Sequence, residues 1–261
     1  MTSTPAVIDP AVADSPRQVP PGRSRSVGTA LVVEEPVSYG AAWDLQSRLH
    51  AERVHRARPD TLLILEHRPV YTLGRTTQPL HWGGHEPALR AQGAEVHRVN
   101  RGGSITYHGP GQVVAYPIFE LAPYAAGPRQ LVHHLEDVVL RVLRRWRIDG
   151  HRVPKRPGIW VAVPDERKIA SIGLRVEHGV TLHGLALNVD MDLTPFERIV
   201  PCGLKGCRVT SMAEVLHRPV SIESVKEELA QAIARVLSID WTRATNVMSF
   251  GESVPFRSFV V

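Results

Sequence analysis

The sequence predicts an α+β domain, a mixed β-sheet with helices packed around it. Strand-like runs fall into two clusters that are separated and followed by helices, which differs from the regular βα alternation of a doubly wound sheet. No period of about 20–50 residues repeats, so solenoids and propellers are excluded. The chain has 261 residues and 28.9 kDa, with 43% apolar and 22% charged residues, which fits one large globular domain or two small ones.

Residues 1–28 contain five prolines and many small polar residues with no periodic pattern, which predicts a disordered N-terminal arm. Ser38 is a candidate N-cap for a helix carried by Ala42, Leu45 and Leu49 and stopped by Pro59. The run 61–66 (TLLILE) reads as a buried strand, and 70–73, 95–99 and 112–119 continue the strand-rich half. In residues 130–148, Leu131, Leu135, Val138, Val142 and Trp146 recur at helical spacing and leave the arginines on other faces.

Residues 158–163, 168–176 and 181–190 read as strands, and His178-Gly179 is placed to turn the last two into a hairpin. Ser211 and Glu214 predict a capping box, and Val225, Leu229, Ala232 and Val236 a longer helix after Ser221. The expected organisation is an arm over 1–28, one domain over 29–241 and a C-terminal tail over 242–261.

Lysine and arginine outnumber aspartate and glutamate 31 to 26, for a net charge of +5 and a pI near 9.5. The excess is local. Arg141, Arg144, Arg145, Arg147, Arg152, Lys155 and Arg156 share one stretch with a single acid, Asp149, so that stretch carries +6 and the remainder −1. One basic face on a nearly neutral body suits an acidic partner better than a nucleic acid, although a solvated helix face gives the same pattern. Aromatic residues make up only 6%, which leaves base-stacking platforms poorly supplied. The longest apolar runs, such as 62–65, are far shorter than the roughly eighteen residues needed to span a bilayer, and no secretory signal is visible, so a cytoplasmic protein is expected. The two cysteines, Cys202 and Cys207, form neither a disulfide framework nor a C-x-x-C motif, and no histidine joins them at zinc-finger spacing, so no metal is expected.

Four segments are candidates for chemistry. Residues 101–112 (RGGSITYHGPGQ) place four glycines and a proline before a strand, where the backbone can approach a ligand and present amide donors, or where two tight turns simply flank a strand. The run matches neither the Walker nor the Rossmann glycine pattern. Residues 168–173 (KIASIG) put a lysine at the head of an apolar strand, either as an edge residue or as a functional amine. Residues 184–188 (GLALN) lie on the hairpin partner. Residues 201–203 (PCG) place Cys202 in a turn, where a thiol can be reached, against the alternative of a small buried hydrophobe. A cysteine nucleophile is activated by a neighbouring cation or base, and Lys168 can supply either role if the two meet.

Taken together, RGG-x-x-TYHGPGQ at 101–112, KIASIG at 168–173, HGLALNV at 183–189 and PCG at 201–203 resemble one family, in order and in spacing. That family is the octanoyl-[acyl-carrier-protein]–protein N-octanoyltransferases of lipoate biosynthesis, and the resemblance spans about residues 29–240. It implies the catalytic-domain fold of biotin and lipoate protein ligases. It also implies an acyltransferase that moves an octanoyl group from octanoyl-acyl carrier protein to a lysine of lipoyl domains, those of 2-oxoacid dehydrogenase complexes and the glycine cleavage H protein. By the same resemblance Cys202 is the acyl-thioester nucleophile and Lys168 lowers its pKa and relays the proton. Arg101, Gly102, Gly103, Ser104, Ile105, Thr106, Tyr107 and His108, with Ser171, Ile172, Gly173, Gly184, Leu185 and Ala186, line the acyl site.

A thioester donor is already activated, so neither ATP nor a resident cofactor is expected; the octanoyl-phosphopantetheine arrives on the donor. Backbone amides around 168–173 or Cys202 are the expected oxyanion donors. His108 and His183 are expected to shape the site, and Cys207 to be an idle neighbour. The alternative is an ATP-dependent lipoate or biotin ligase of the same fold, which needs no nucleophilic cysteine and is disfavoured by the PCG motif.

Overall fold

The computed structural model describes residues 25–91, 93–203, 206–242 and 256–260, with the backbone alone for Cys202 and Phe256. In chain order the elements are β1 (Ser26–Val33), α1 (Tyr39–Val54), β2 (Asp60–Leu65), β3 (Val70–Leu73), α2 (Glu86–Arg90), β4 (Glu95–Arg98), β5 (Ile105–His108), β6 (Gln112–Ile118) and α3 (Pro128–Arg145). There follow β7 (Gly150–Val153), β8 (Arg156–Ala162), β9 (Glu166–Glu177), β10 (Val180–Asn188), β11 (Arg208–Val209), α4 (Met212–Leu216), α5 (Ile222–Leu237), β12 (Ile239–Thr242) and β13 (Phe256–Phe259). A large mixed sheet runs β12-β1-β2-β6-β10-β9-β8-β7, with β13 added on β1 and β11 on β9, and a small sheet runs β4-β3-β5. Among the described residues no helix is long and apolar enough to cross a membrane.

The central strands are apolar at successive positions because both faces of the large sheet are covered. Ala30, Val32, Leu62, Ile64, Val113 and Ala115 pack with residues of α3 and α5. The alternating set Leu31, Val33, Leu63, Leu65, Val114 and Tyr116 packs with Ala42, Leu45 and Leu49 of α1, as the two-residue period of a strand requires. Ser38 caps α1 by accepting the Ala41 amide at 3.3 Å, and Ser221 caps α5 by accepting the Ser224 amide at 3.2 Å. The β9–β10 hairpin turns at His178 and Gly179, whose φ values of 49° and 77° are those of a tight two-residue connection.

Several boundaries differ from the sequence reading, each for a tertiary reason. Residues 1–24, most of the expected arm, lie outside the described residues. The strand that follows begins at Ser26 because Ser26 to Thr29 pair with Ile239 to Thr242 of β12, a partner that no local pattern reveals. The expected tail contributes β13, antiparallel to Ala30–Val33, while residues 243–255 lie outside the described residues. The helix α3 ends at Arg145, and Trp146 is its C-cap, with the indole donating to Glu228 Oε2 at 3.0 Å. The capping box at α4 is half formed: Ser211 Oγ accepts the Glu214 amide at 3.2 Å, but the Glu214 carboxylate takes Thr210 Oγ1 and Arg167 instead of returning to the cap. In the basic stretch Arg144, Arg145 and Arg147 are exposed, whereas Arg152 is neutralised by Glu136 at 2.9 Å and Asp137 at 2.7 Å.

Candidate active site

The glycine-rich run folds as a loop, a strand and a turn. The loop at Arg101–Ser104 is gripped on both sides: the Gly102 amide donates to Leu174 O at 3.1 Å, and the Arg75 and Thr76 amides donate to Arg101 O and Gly103 O at 3.1 and 3.2 Å. The Arg101 guanidinium turns back on Thr72, donating to its carbonyl at 2.7 Å and its Oγ1 at 2.9 Å. The turn beyond β5 requires glycine at 111, where φ is 85° and a Cβ would lie 2.0 Å from Asp190 O. Its amide donates to Glu66 Oε2 at 2.8 Å, and Glu66 is paired with the fully buried Lys226 at 3.1 Å. A buried charge pair thereby fixes the turn to the start of α5. Lys226 is also paired with Glu223 at 3.1 Å, so removing Lys226 is the change that leaves the Glu66 carboxylate without this buried cation.

A cleft opens between the large sheet and this loop. Of the residues expected at an acyl site, Arg101, Gly102, Gly103, Ser104, Ile105, Thr106, His108, Ser171, Ile172, Gly173, Gly184, Leu185 and Ala186 line it. Tyr107 does not. It sits on the other face of β5, with its ring 5.1 Å from Tyr71 and 5.7 Å from Phe196 in the small-sheet core, because neighbouring strand residues face opposite ways. Tyr39, Thr72, Val114, Tyr116 and His183 also line the cleft. Of these, sequence reasoning weighed only His183; the others lie in ordinary helix and strand patterns with nothing local to single them out.

One hydrogen-bond chain joins three of the four motifs. Arg101 donates to Thr72 Oγ1, which stands 3.4 Å from His108 Nε2. His108 Nδ1 lies 2.6 Å from Gln112 Oε1, and Gln112 Nε2 donates to Asn188 Oδ1 at 2.9 Å. Asn188 Nδ2 donates to Thr210 O at 2.9 Å, and the Thr210 amide donates to Lys168 O at 3.0 Å. Gln112 uses its amide nitrogen on Asn188, so its oxygen must accept from His108 Nδ1–H, and His108 Nε2 is left to accept from Thr72. The network therefore needs a neutral imidazole. Burial, with Arg101 adding to it against the Gln112 bond, holds the His108 pKa down to about 4. Burial first, then Arg101, His108 and Arg175, lower His183 to about 3. His67 is held well below the usual range by burial and then by His108; its Nε2 faces Tyr116 OH at 2.7 Å.

His183 enters the cleft through a left-handed residue in mid-strand, with φ 58°. Its ring stacks on Trp43 at 5.2 Å and meets Asn100 Oδ1 at 2.7 Å.

Lys168 does not line the cleft. It is buried beside it at the head of β9, with Nζ 5.5 Å from the Trp160 ring centroid. Its stem lies over Gly158, where φ is 107° and a Cβ would stand 2.7 Å from Lys168 Cε. The Gly158 amide donates to the buried Glu136 at 3.0 Å. Glycine at 158 thus makes room for the lysine, at a register shift between β8 and β9. Cys202 lies in the single turn Pro201–Gly203. The Gly203 amide closes that turn on Val200 O at 2.9 Å, so it is not available as an oxyanion donor. On the far side of Gly203 stands the ring of His81, which in turn meets Ser104 Oγ of the cleft at 2.6 Å. His81 has no motif of its own and was not legible in the sequence.

The architecture is that of lipoate protein ligases. A bipartite lipoate protein ligase from Thermoplasma acidophilum superposes with a TM-score of 0.66 at 18% identity, covering 87% of this chain and 90% of that one. A lipoate-protein ligase A bound with ATP superposes at 0.62 and 20% identity, covering 87% and 92%. Residues 38–234 match the lipoyl protein ligase A/B catalytic domain. Two relatives are named octanoyltransferase: one from Thermobifida fusca, 46% identical over 209 residues (78% of this chain and 86% of the relative), and one from Mycobacterium leprae, 44% identical over 218 residues (80% and 88%). Within the lipoyl protein ligase A/B catalytic-domain family, the chain belongs to the octanoyltransferases.

Proposed function

We propose that this chain is the octanoyltransferase of lipoate biosynthesis, moving an octanoyl group from octanoyl-acyl carrier protein to a lysine of lipoyl domains through a thioester on Cys202, in the cytoplasm. The chain is an acyltransferase. The Cys202 thiolate attacks the donor's thioester carbonyl, and the pantetheine leaves as its thiolate, which takes up the proton that Cys202 had passed to Lys168. The lipoyl-domain amine then attacks the acyl-cysteine, an amide forms, and Cys202 departs as thiolate while the amine's proton passes to Lys168. The acceptors are the lipoyl domains of 2-oxoacid dehydrogenase complexes and the glycine cleavage H protein, and the reaction uses no metal or ATP.

The observation that carries this reading is the cleft, because thirteen residues from three separate sequence motifs surround one space, with Lys168 three residues before Ser171 on the same strand and His81 between Ser104 of the lining and Gly203 of the Cys202 turn. A second groove, lined in part by Arg129, Lys155 and Arg156, shares Gly102, Gly103, Ile172 and Gly173 with the cleft, and a cationic approach of this kind favours an acidic donor protein. The test supplies the purified chain and an unmodified lipoyl domain with either octanoyl-acyl carrier protein alone or octanoate plus ATP. Octanoylation of the domain in the first mixture is expected. Modification only in the second contradicts the transferase reading and selects the ligase.

A further inference from the structure

We infer that His81 is a positioning residue that locks the turn carrying Cys202 onto the wall of the acyl cleft. The inference rests on reading Cys202 as the nucleophile. His81 ends the short turn Pro79–His81 between β3 and α2, and it touches both sides of Cys202. The Val200 amide donates to His81 O at 2.7 Å. The imidazole edge lies so close to Gly203 that a Cβ there would be 2.9 Å from His81 Cε1 and 3.2 Å from Nε2, while the φ of 69° at Gly203 also favours glycine.

The same side of the ring is tied to the cleft through Nδ1, which would stand 3.4 Å from a Gly203 Cβ. His81 Nδ1 accepts the Gln78 amide at 3.2 Å and stands 2.6 Å from Ser104 Oγ, and Ser104 lines the cleft. A backbone amide can only donate, so Nδ1 is the acceptor of the neutral ring, Ser104 donates to it as well, and Nε2 carries the proton. The Cε1 corner of the ring, flanked by Nε2–H, is what His81 presents to the Pro201–Gly203 turn. A single buried side chain couples the residue that contacts the acyl group to the backbone that carries the nucleophile, and a misplacement of about 1 Å at such a point costs on the order of 10²-fold in rate.

The variants are His81→Ala and His81→Asn. The asparagine keeps an acceptor near Nδ1 and so retains the Gln78 and Ser104 contacts, but it loses the edge that meets Gly203. Two readouts apply to the intact chain: the rate of octanoyl adduct formation at Cys202, and the pH midpoint of iodoacetamide alkylation at Cys202. Cleavage after Lys205 separates the Cys202 and Cys207 peptides, which makes Cys207 an internal control. Both variants are expected to acylate at least tenfold more slowly, with the Cys202 midpoint moved upward and Cys207 unchanged. Acylation and alkylation of Cys202 in His81→Asn within twofold of the parent overturn the inference. If the parent itself forms no adduct, the nucleophile reading fails, and the alkylation comparison still decides the role of His81.

Discussion

Replacing Lys168 with alanine is expected to slow octanoyl transfer by about 10²–10⁴-fold, the range associated with loss of a positioned acid–base group. It is also expected to move the alkylation midpoint of Cys202 upward. A thiolate near a cation is stabilised by it, and the proton released when the lipoyl amine attacks needs an acceptor. The structure gives Lys168 a place fixed on several sides: Trp160 lies beneath the amine, Gly158 leaves room for the stem, and the Thr210 amide holds its carbonyl. Gly158→Ala puts a methyl group 2.3 Å from Ala170 O and 2.7 Å from Lys168 Cε, at a φ of 107°, and should lower both the stability of the β8–β9 pairing and the transfer rate. A Lys168→Ala chain whose Cys202 alkylates with the parental pH profile contradicts the coupling of the two groups.

Acidification is expected to weaken the folded cleft from about pH 6.5 down towards pH 4, a loss that begins above the range in which carboxylates titrate. The folded-state pKa values of His108 and His183 are depressed to about 4 and about 3, whereas an unfolded histidine titrates near 6.5. Between those values the unfolded chain binds more protons than the folded one, so stability falls as pH falls through this window. At pH 5 each of the two costs about 2 kcal/mol, and His67 shifts in the same direction. Together these are a large part of the roughly 5–15 kcal/mol that holds a domain folded. Protonated His108 also loses its acceptor at Nε2, which breaks the chain from Arg101 to Lys168. Urea denaturation of the parent and of His108→Gln between pH 7 and pH 4.5 checks this. The parent is expected to lose stability steadily, and the variant to lose measurably less over the same interval.

Much of the fold was readable because its signals are local. Ser38 caps the helix it was expected to cap, the helix expected after Ser221 begins there, and His178-Gly179 turns the hairpin it was expected to turn. The strands β1, β12 and β13 were not readable, because each exists only through pairing across the length of the chain. The same division holds at the cleft. Glycine-rich motifs mark where the backbone must come close to a ligand, so Gly102, Gly103, Gly173 and Gly184 were legible. Tyr39, Tyr116 and His81 sit in ordinary helix, strand and turn contexts, and their roles arise only when distant segments meet. Tyr107 shows the converse limit: a residue inside a motif can serve the core of a neighbouring sheet.

The central claim is that the acyl group passes through Cys202, and the most direct measurement is the intact mass of the chain after incubation with octanoyl-acyl carrier protein, beside Cys202→Ser. The parent is expected to gain one octanoyl group that hydroxylamine removes, and the variant to gain none. A parent without an adduct that still modifies the lipoyl domain, or an equal adduct on Cys202→Ser, contradicts the account.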